Sequence, residues 1–419
     1  MRLLYTLLFH LLVPIVLLRL YWRGFKAPEY RKRWTERLAI YKQKYPDNVI
    51  WIHAVSVGEA EAVFPLVKRL QKQYSSDNFL ITTTTPTGSA RVQNVLSDTV
   101  THVYLPYDLP SVVSRFIKIF KPKIAIIMEK EIWPNLYAQC GKQNIPLFII
   151  NARLSANSAK GYKKIPALVA TALSNVTAVM TQTQEDCDRF IEIGSAKEKT
   201  HVAGNIKFDI VIPEQAIEQG KRLNKQLFAG RFVWIIASTH KGEDEIFLDM
   251  YQQIKQAIPS LLLLMVPRHP ERFKTVKRLA EERQLKTIMR SSNEHCTSDT
   301  DVYIADTMGE LKMLYAAADI GFVGGSMVPV GGHNILEPLA VDLPVIFGPY
   351  MINFKQISDN VLKMQAAVQC QDEMEIIKTV QQLYDDINFR KSLTQQGAEF
   401  LRRNQGATDR IFNVLENYL

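Results

Sequence analysis

The feature that most constrains this chain is a change of hydrophobic rhythm near residue 49. From there, short and nearly continuous apolar runs alternate with amphipathic helical stretches, and the alternation occurs twice. Continuous apolar runs describe strands buried on both faces, and helical crossovers between them are what parallel pairing requires. In the first series Val49–Ala54, Phe79–Thr83, His102–Leu105, Lys123–Met128, Ile145–Ile150 and Ala178–Thr181 read as strands. Gly58–Tyr74, which puts Val63, Leu66, Val67 and Leu70 on one face, reads as a helix, as do Ser111–Phe120 and Glu185–Ile193. After a polar connection over 209–231 the second series runs through Phe232–Ala237, Leu261–Val266, Asp301–Ala305, Ile320–Gly324 and Val345–Phe347, with a helical tail from Ile376. The expectation is an α/β chain of two doubly wound, Rossmann-like domains, with ligands at the carboxyl ends of the strands in a cleft between them.

The N-terminus breaks that pattern. Leu3–Leu18 is strongly apolar, interrupted by His10 and Pro14, and is followed by Arg19, Arg23, Lys26, Arg31, Lys32, Arg33 and Arg37. No small-residue cleavage site follows, so residues 1–22 read as a retained membrane anchor, and the basic collar places the rest of the chain on the cytoplasmic side. Residues 23–210 then form an N-terminal domain and 211–419 a C-terminal one, with the last helix a candidate to return to the first domain. Cys140, Cys187, Cys296 and Cys370 lie far apart, which is neither a disulfide framework nor a zinc pattern. The formal charge of +9 is concentrated beside the anchor rather than along a stacking face, which disfavours nucleic acid.

The segments that fall at strand ends carry the chemistry. His53–Ala62 places Glu59 where it serves either as a capping-box partner of Ser56 or as a general base. Met128–Asn135 puts Glu129 and Glu131 directly after a buried strand, a costly position for unpartnered carboxylates. Val266–Phe273 presents Arg268, His269 and Arg272, the first suited to phosphate or carboxylate. In Ala305–Asp319, Thr307 is a candidate N-cap with Glu310 as its partner, leaving the Met308 and Gly309 amides for an anion. In Gly321–Pro338 two glycine pairs precede Asn334 and Glu337, which read as the opening of another helix and a second anion site, or as a capping box. Asp299-Thr300-Asp301 has a metal-binding form but precedes its strand, and no metal motif is visible.

Together HAVSVGEAEA, TTTTPTGSARVQ, YLPYDLP, MEKEIWPN, NARLSANSAKGY, GNIKFD, ASTHKGEDE, VPRHPERF, DTMGEL and GGSMVPVGGHNILEP resemble, in order and over essentially the whole chain, the blocks of the 3-deoxy-D-manno-octulosonic acid (Kdo) transferases. Lys130 stands where that family usually has threonine, and Leu339 where a small residue is common. The resemblance implies a GT-B type glycosyltransferase of lipopolysaccharide synthesis that moves Kdo from CMP-Kdo to a tetraacyl lipid A precursor (lipid IVA) at the inner membrane, with inversion and without a metal. It implies Glu59 as general base and Glu129 and Lys207 as transition-state residues. It places CMP on Pro267, Arg268, Met308, Gly309, Glu310 and the run Asn334, Ile335, Leu336 and Glu337. The alternative is another GT-B sugar-nucleotide transferase or an epimerase, since a glycine-rich loop with a helix-opening glutamate is common to them.

Overall fold

A computed structural model describes residues 1–96 and 98–419, with Lys26 described at its backbone alone. The chain divides into two compact units, Met1–Asp209 with Gln405–Leu419, and Ile210–Asn404.

The first unit holds a seven-stranded sheet of β1 (Val49–His53), β2 (Asn78–Thr83), β3 (Thr101–Tyr104), β4 (Ile124–Met128), β5 (Leu147–Ala152), β6 (Ala178–Thr181) and β7 (Thr200–Val202). Every pairing is parallel, in the order β3-β2-β1-β4-β5-β6-β7. The pleat sorts β1 between two cores. Val49 and Trp51 pack with Phe116 and Phe120 on one face, and Ile50 and Ile52 pack with Val63, Leu66 and Leu70 of the helix Val57–Gln73 on the other. The helix Ala407–Leu415 belongs to this second face through Ala407, Ile411, Phe412 and Leu415. The Asp209 carboxylate fixes its start by accepting from the Gly406 and Thr408 amides.

The second unit holds β8 (Phe232–Thr239), β9 (Leu261–Pro267), β10 (Thr287–Met289), β11 (Val302–Ile304), β12 (Ile320–Val323), β13 (Val345–Phe347) and β14 (Val368–Gln369). These too are all parallel, ordered β10-β11-β9-β8-β12-β13-β14. Trp234 and Ile236 face one core, Val233 and Ile235 the other. In each sheet the chain starts in the middle and winds both ways. The order therefore reverses between β1 and β4 in the first unit and between β8 and β12 in the second, the switch points where such sheets bind ligands.

Three strands escape the sequence pattern. β7, β10 and β14 are short edge or near-edge strands with exposed or half-exposed residues, so they lack the apolar run that marks a doubly covered strand. The connection over 209–231 is not patternless either, since it contains the helix Glu214–Gln226, which buries only Gly220 and Leu223.

At the N-terminus a 25-residue helix, Arg2–Lys26, continues through Pro14 beyond the apolar run. It is long and apolar enough to cross a membrane, with a mean hydropathy of 2.1 over its most apolar window and 6% of that window buried. Phe9, Val13 and Leu17 pack on the first unit, and the Thr6 hydroxyl donates to Asn135 at 3.1 Å. Leu3, Leu7, Leu11, Ile15 and Leu18 are exposed.

Candidate active site

The carboxyl end of β1 runs into the helix Val57–Gln73, and Glu59 is its third residue. The capping reading of this glutamate has a structural counterpart. Ser56 is the N-cap and accepts from the Glu59 amide at 3.4 Å, while the Glu59 carboxylate accepts from the Val55 amide at 2.7 Å. The same carboxyl is pushed up to about 7, first by burial and then by the nearby charge of Glu129, with Glu131 adding and Lys207 opposing. A carboxyl that ionises near neutrality is matched to general-base work.

Glu129 follows β4, on the other side of the switch point from Glu59. Its φ of 59° lies in the left-handed region, uncommon for a residue with a side chain. Its amide is bound to the Ile150 carbonyl at 3.0 Å, so the neighbouring strand β5 holds the turn. Such backbone strain costs roughly 1–3 kcal/mol and clusters at functional sites. Glu131 is also raised above the ordinary carboxylate range, chiefly by burial.

Lys207 lies in the single turn Ile206–Phe208 and is placed by an amide network rooted in the sheet. Asn151, fully buried in β5, accepts from the Ile206 amide at 3.2 Å and, through its carbonyl, from Gln182 at 3.0 Å. Gln182 accepts from Asn205 at 3.1 Å, whose own carboxamide oxygen takes the Lys207 amide at 2.9 Å. Glu59 and Glu129 thus flank the first switch point, and Lys207, in the turn after the edge strand β7, acts on Glu59 through its charge. Asn151, Gln182 and Asn205 are the supports that no local pattern marked.

In the second unit, β9 ends at Pro267, and the Arg268 amide closes onto the Thr239 carbonyl of β8 at 3.1 Å. The Arg268 side chain is exposed at the carboxyl edge. The neighbouring strand β11 leads to Met308, Gly309 and Glu310. Here the helix expected after Thr307 starts only at Leu311 and runs six residues. Thr307 donates to the Glu310 carboxylate rather than capping backbone, and Arg290 binds the same carboxylate at 3.2 and 3.3 Å. The Asn334 segment differs in the same way. Ile335 caps one helical turn, Leu336–Leu339, and the Asn334 carboxamide oxygen accepts from the Leu336 amide at 3.1 Å. That turn closes at once because the Leu343 amide bonds back to the Pro338 carbonyl, Asp342 takes a left-handed φ of 57°, and Pro344 follows. Both helices are short and start later than expected, so the helix starts read at Thr307 and Asn334 are corrected.

The glycine-rich loop is folded onto a residue the sequence did not single out. Glu243, fully buried, accepts from the amides of Gly325 at 2.7 Å, Ser326 at 3.1 Å, Met327 at 3.0 Å and His240 at 3.0 Å. Burial pushes its carboxyl up while these four donors pull it down. The Gly331 and Gly332 amides both return to the Gly325 carbonyl. Gly324 is required by close approach, since a Cβ there would come 2.7 Å from the Ser238 carbonyl oxygen. Above the loop, His240 and His333 meet with their Nε2 atoms 2.8 Å apart.

Among the described residues no group of His, Cys, Asp and Glu side chains could hold a metal ion. The D-x-D pair is structural. Asp299 pairs with Lys286 at 2.7 Å, and Asp301 accepts from Tyr251 at 2.9 Å. Leu339, one of the two departures from the family pattern, is buried against Gly397, where a Cβ would come 2.8 Å from its Cδ2.

The family described as 3-deoxy-D-manno-octulosonic-acid transferase (kdotransferase) matches residues 32–210. A 3-deoxy-D-manno-octulosonic acid transferase of Haemophilus influenzae is 41% identical over 421 aligned residues, covering 100% of this chain and 99% of its own. One from Bordetella pertussis is 33% identical, covering 88% of this chain and 87% of its own. A UDP-GlcNAc 2-epimerase from Neisseria meningitidis solved with UDP-GlcNAc superposes with a TM-score of 0.57 over 89% of this chain and all of its own. At 14% identity that likeness speaks for the GT-B-like fold alone. Full-length identity to the transferases, the two parallel sheets and the order of the sequence blocks agree: this chain belongs to the Kdo transferase family and is a glycosyltransferase.

Proposed function

We propose that this enzyme transfers Kdo from CMP-Kdo to the tetraacyl lipid A precursor by a single inverting displacement, with Glu59 as general base. The observation that carries the reading is a glutamate held near pH 7 at a switch point, within the electrostatic reach of Glu129 and Lys207. In this step an acceptor hydroxyl oxygen forms the new bond to the anomeric carbon. The bond from that carbon to the phosphate oxygen breaks, and CMP leaves with the electron pair. The Glu59 carboxylate takes the hydroxyl proton, and Lys207 offsets negative charge on the donor.

Glu129 acquires a role in this account. A second carboxylate at the switch point raises Glu59 and so keeps it basic enough to take a proton at neutral pH. Donor binding falls to Pro267 and Arg268, to Met308–Glu310 and to Asn334–Glu337, with the Arg268 guanidinium suited to phosphate. The reaction as written needs no metal.

The exposed leucines of Arg2–Lys26 and the basic residues that follow it support a membrane anchor, with both units on the cytoplasmic face of the inner membrane beside a lipid acceptor. Incubating the purified full chain with lipid IVA and CMP-Kdo, and following product mass, tests the reading. Stepwise gain of Kdo masses is expected. Folded protein that adds nothing from CMP-Kdo, but accepts a UDP-sugar, would overturn it in favour of another GT-B transferase.

A further inference from the structure

Much of the glycine-rich loop's own backbone is already paired. The Gly325, Ser326 and Met327 amides are bound to Glu243, and those of Gly331 and Gly332 to the Gly325 carbonyl. These five amides are thus occupied within the loop, and side chains stand beside them. The His240 and His333 rings lie within 9° of parallel, their centroids 5.0 Å apart and their Nε2 atoms 2.8 Å apart. That is the geometry of a hydrogen bond along the line joining two rings. One Nε2 carries the proton and the other accepts it, so the pair holds a single proton at that contact. The His269 ring stands edge-on to His240, with centroids 5.4 Å apart. Gly325 is the floor, since a Cβ there would come 3.1 Å from the His333 ring and 3.4 Å from that of His240.

We propose that His240 and His333, together with Arg268, form the subsite for an oxyanion of the donor, and that the histidine pair opens and takes up a proton as the anion seats. This rests on the reading of the second unit as the donor domain. The anion is either the phosphate of CMP or the carboxylate of the sugar, and the chemistry is the same for both. A neutral pair has one Nε2 proton and uses it internally. The second ring can donate from Nε2 by moving its Nδ1 proton or by gaining one, and an adjacent oxyanion favours the gain because an imidazolium supplies charge as well as a donor.

The surroundings agree. Both histidines are held below their ordinary value, first by burial and then by neighbouring positive groups, His333 at about 4. The groups responsible are His269, Arg268 and Arg272 for His240, and His240, Arg268 and His269 for His333. Arg272 is itself paired with the buried Asp244. On His240's own loop the Glu243 carboxylate is turned to the amides, Lys241 points outward to solvent, and Glu337 lies beyond His333 in its segment. Neighbouring cations favour neutral rings, and an arriving anion reverses that preference.

Calorimetric titration of the full chain with CMP alone, and with CMP plus free Kdo, in buffers of different ionisation enthalpy at pH 6.5 and 8.5, tests this. The expected result is net proton uptake by the wild type in excess of that by His240→Gln or His333→Gln. Either variant suffices if the other fails to fold. Wild-type affinity should exceed the variant's about tenfold at pH 6.5 and converge with it at pH 8.5. Excess uptake with CMP alone assigns the phosphate, and uptake only in the presence of Kdo assigns the carboxylate. Folded variants that bind CMP and take up protons like the wild type in both arms would overturn the subsite while leaving the donor domain intact. Failure of the wild type to bind CMP at all would overturn the donor reading and the subsite with it.

Discussion

Replacing Glu59 with glutamine should make the first unit more stable and the enzyme nearly inactive. The carboxyl is held at about 7 against an ordinary 4.5. In the unfolded chain it ionises at its ordinary value, so folding is favoured by this group below pH 4.5 and penalised as the pH rises through about 7. Above both values the penalty reaches roughly 3 kcal/mol, at about 1.4 kcal/mol per pH unit. Glutamine carries no charge at any pH and can still accept from the Val55 amide, so most of the penalty disappears. The variant's advantage should widen by roughly 2 kcal/mol between pH 5 and pH 8, which for a unit of this size is a rise in Tm difference of about 4–8 °C. Thermal melts of both proteins across that range provide the assay, with transfer rate measured in parallel. Loss of the base should lower the rate about 10²–10⁴-fold. A Tm difference that stays flat with pH would refute the electrostatic picture, and a variant that is stabilised but fully active would leave Glu59 as a helix cap.

Other perturbations follow from the same geometry. Glu129→Gln removes the charge second in importance in raising Glu59, so the alkaline rise of the pH–rate profile should move to lower pH; an unmoved profile would show that Glu129 acts elsewhere. Glu243→Gln exposes four buried amides to a group that donates as well as accepts, and urea titration should show a loss of about 2–4 kcal/mol in the second unit. His53 and His102 are buried neutral, at about 4 and about 3, so the first unit should lose stability as pH falls from about 6.5 towards 4, read from urea midpoints. Leu11→Glu with Ile15→Glu, both on the exposed side of the first helix, should release the protein from sedimenting membranes, each lost side chain weakening attachment by about 1.5–3 kcal/mol. Unchanged sedimentation would remove the anchor.

What the sequence made legible, and what it hid, divides along the range of the forces involved. The central strands β1, β4, β8 and β9 are buried on both faces, and their composition records it. Glu59 was readable both as cap and as base because Ser56 and Glu59 are local partners, and the strand end put both at the mouth of the sheet. The helix starts at Thr307 and Asn334 were misread because the short motif fits a cap, whereas Arg290 and the closing turn at Asp342 draw the chain elsewhere. Glu243 is one of three acids in the first turn of its helix, and three of its four amide partners come from a loop more than eighty residues away. His240 and His333 are scattered histidines until folding sets them 2.8 Å apart. Asn151 likewise shows its use only through Ile206 and Gln182, which no periodicity links to it.

The central claim is that Glu59 takes the acceptor's proton during Kdo transfer. The most direct measurement is the single-turnover rate of Kdo transfer from CMP-Kdo to lipid IVA as a function of pH, for the wild type and for folded Glu59→Gln. The account gives a wild-type rate that rises with pH and levels off around an apparent value of about 7, and a variant rate that is low and without that rise. A variant that retains the same rise would contradict it, and the proton would then have to leave by another group.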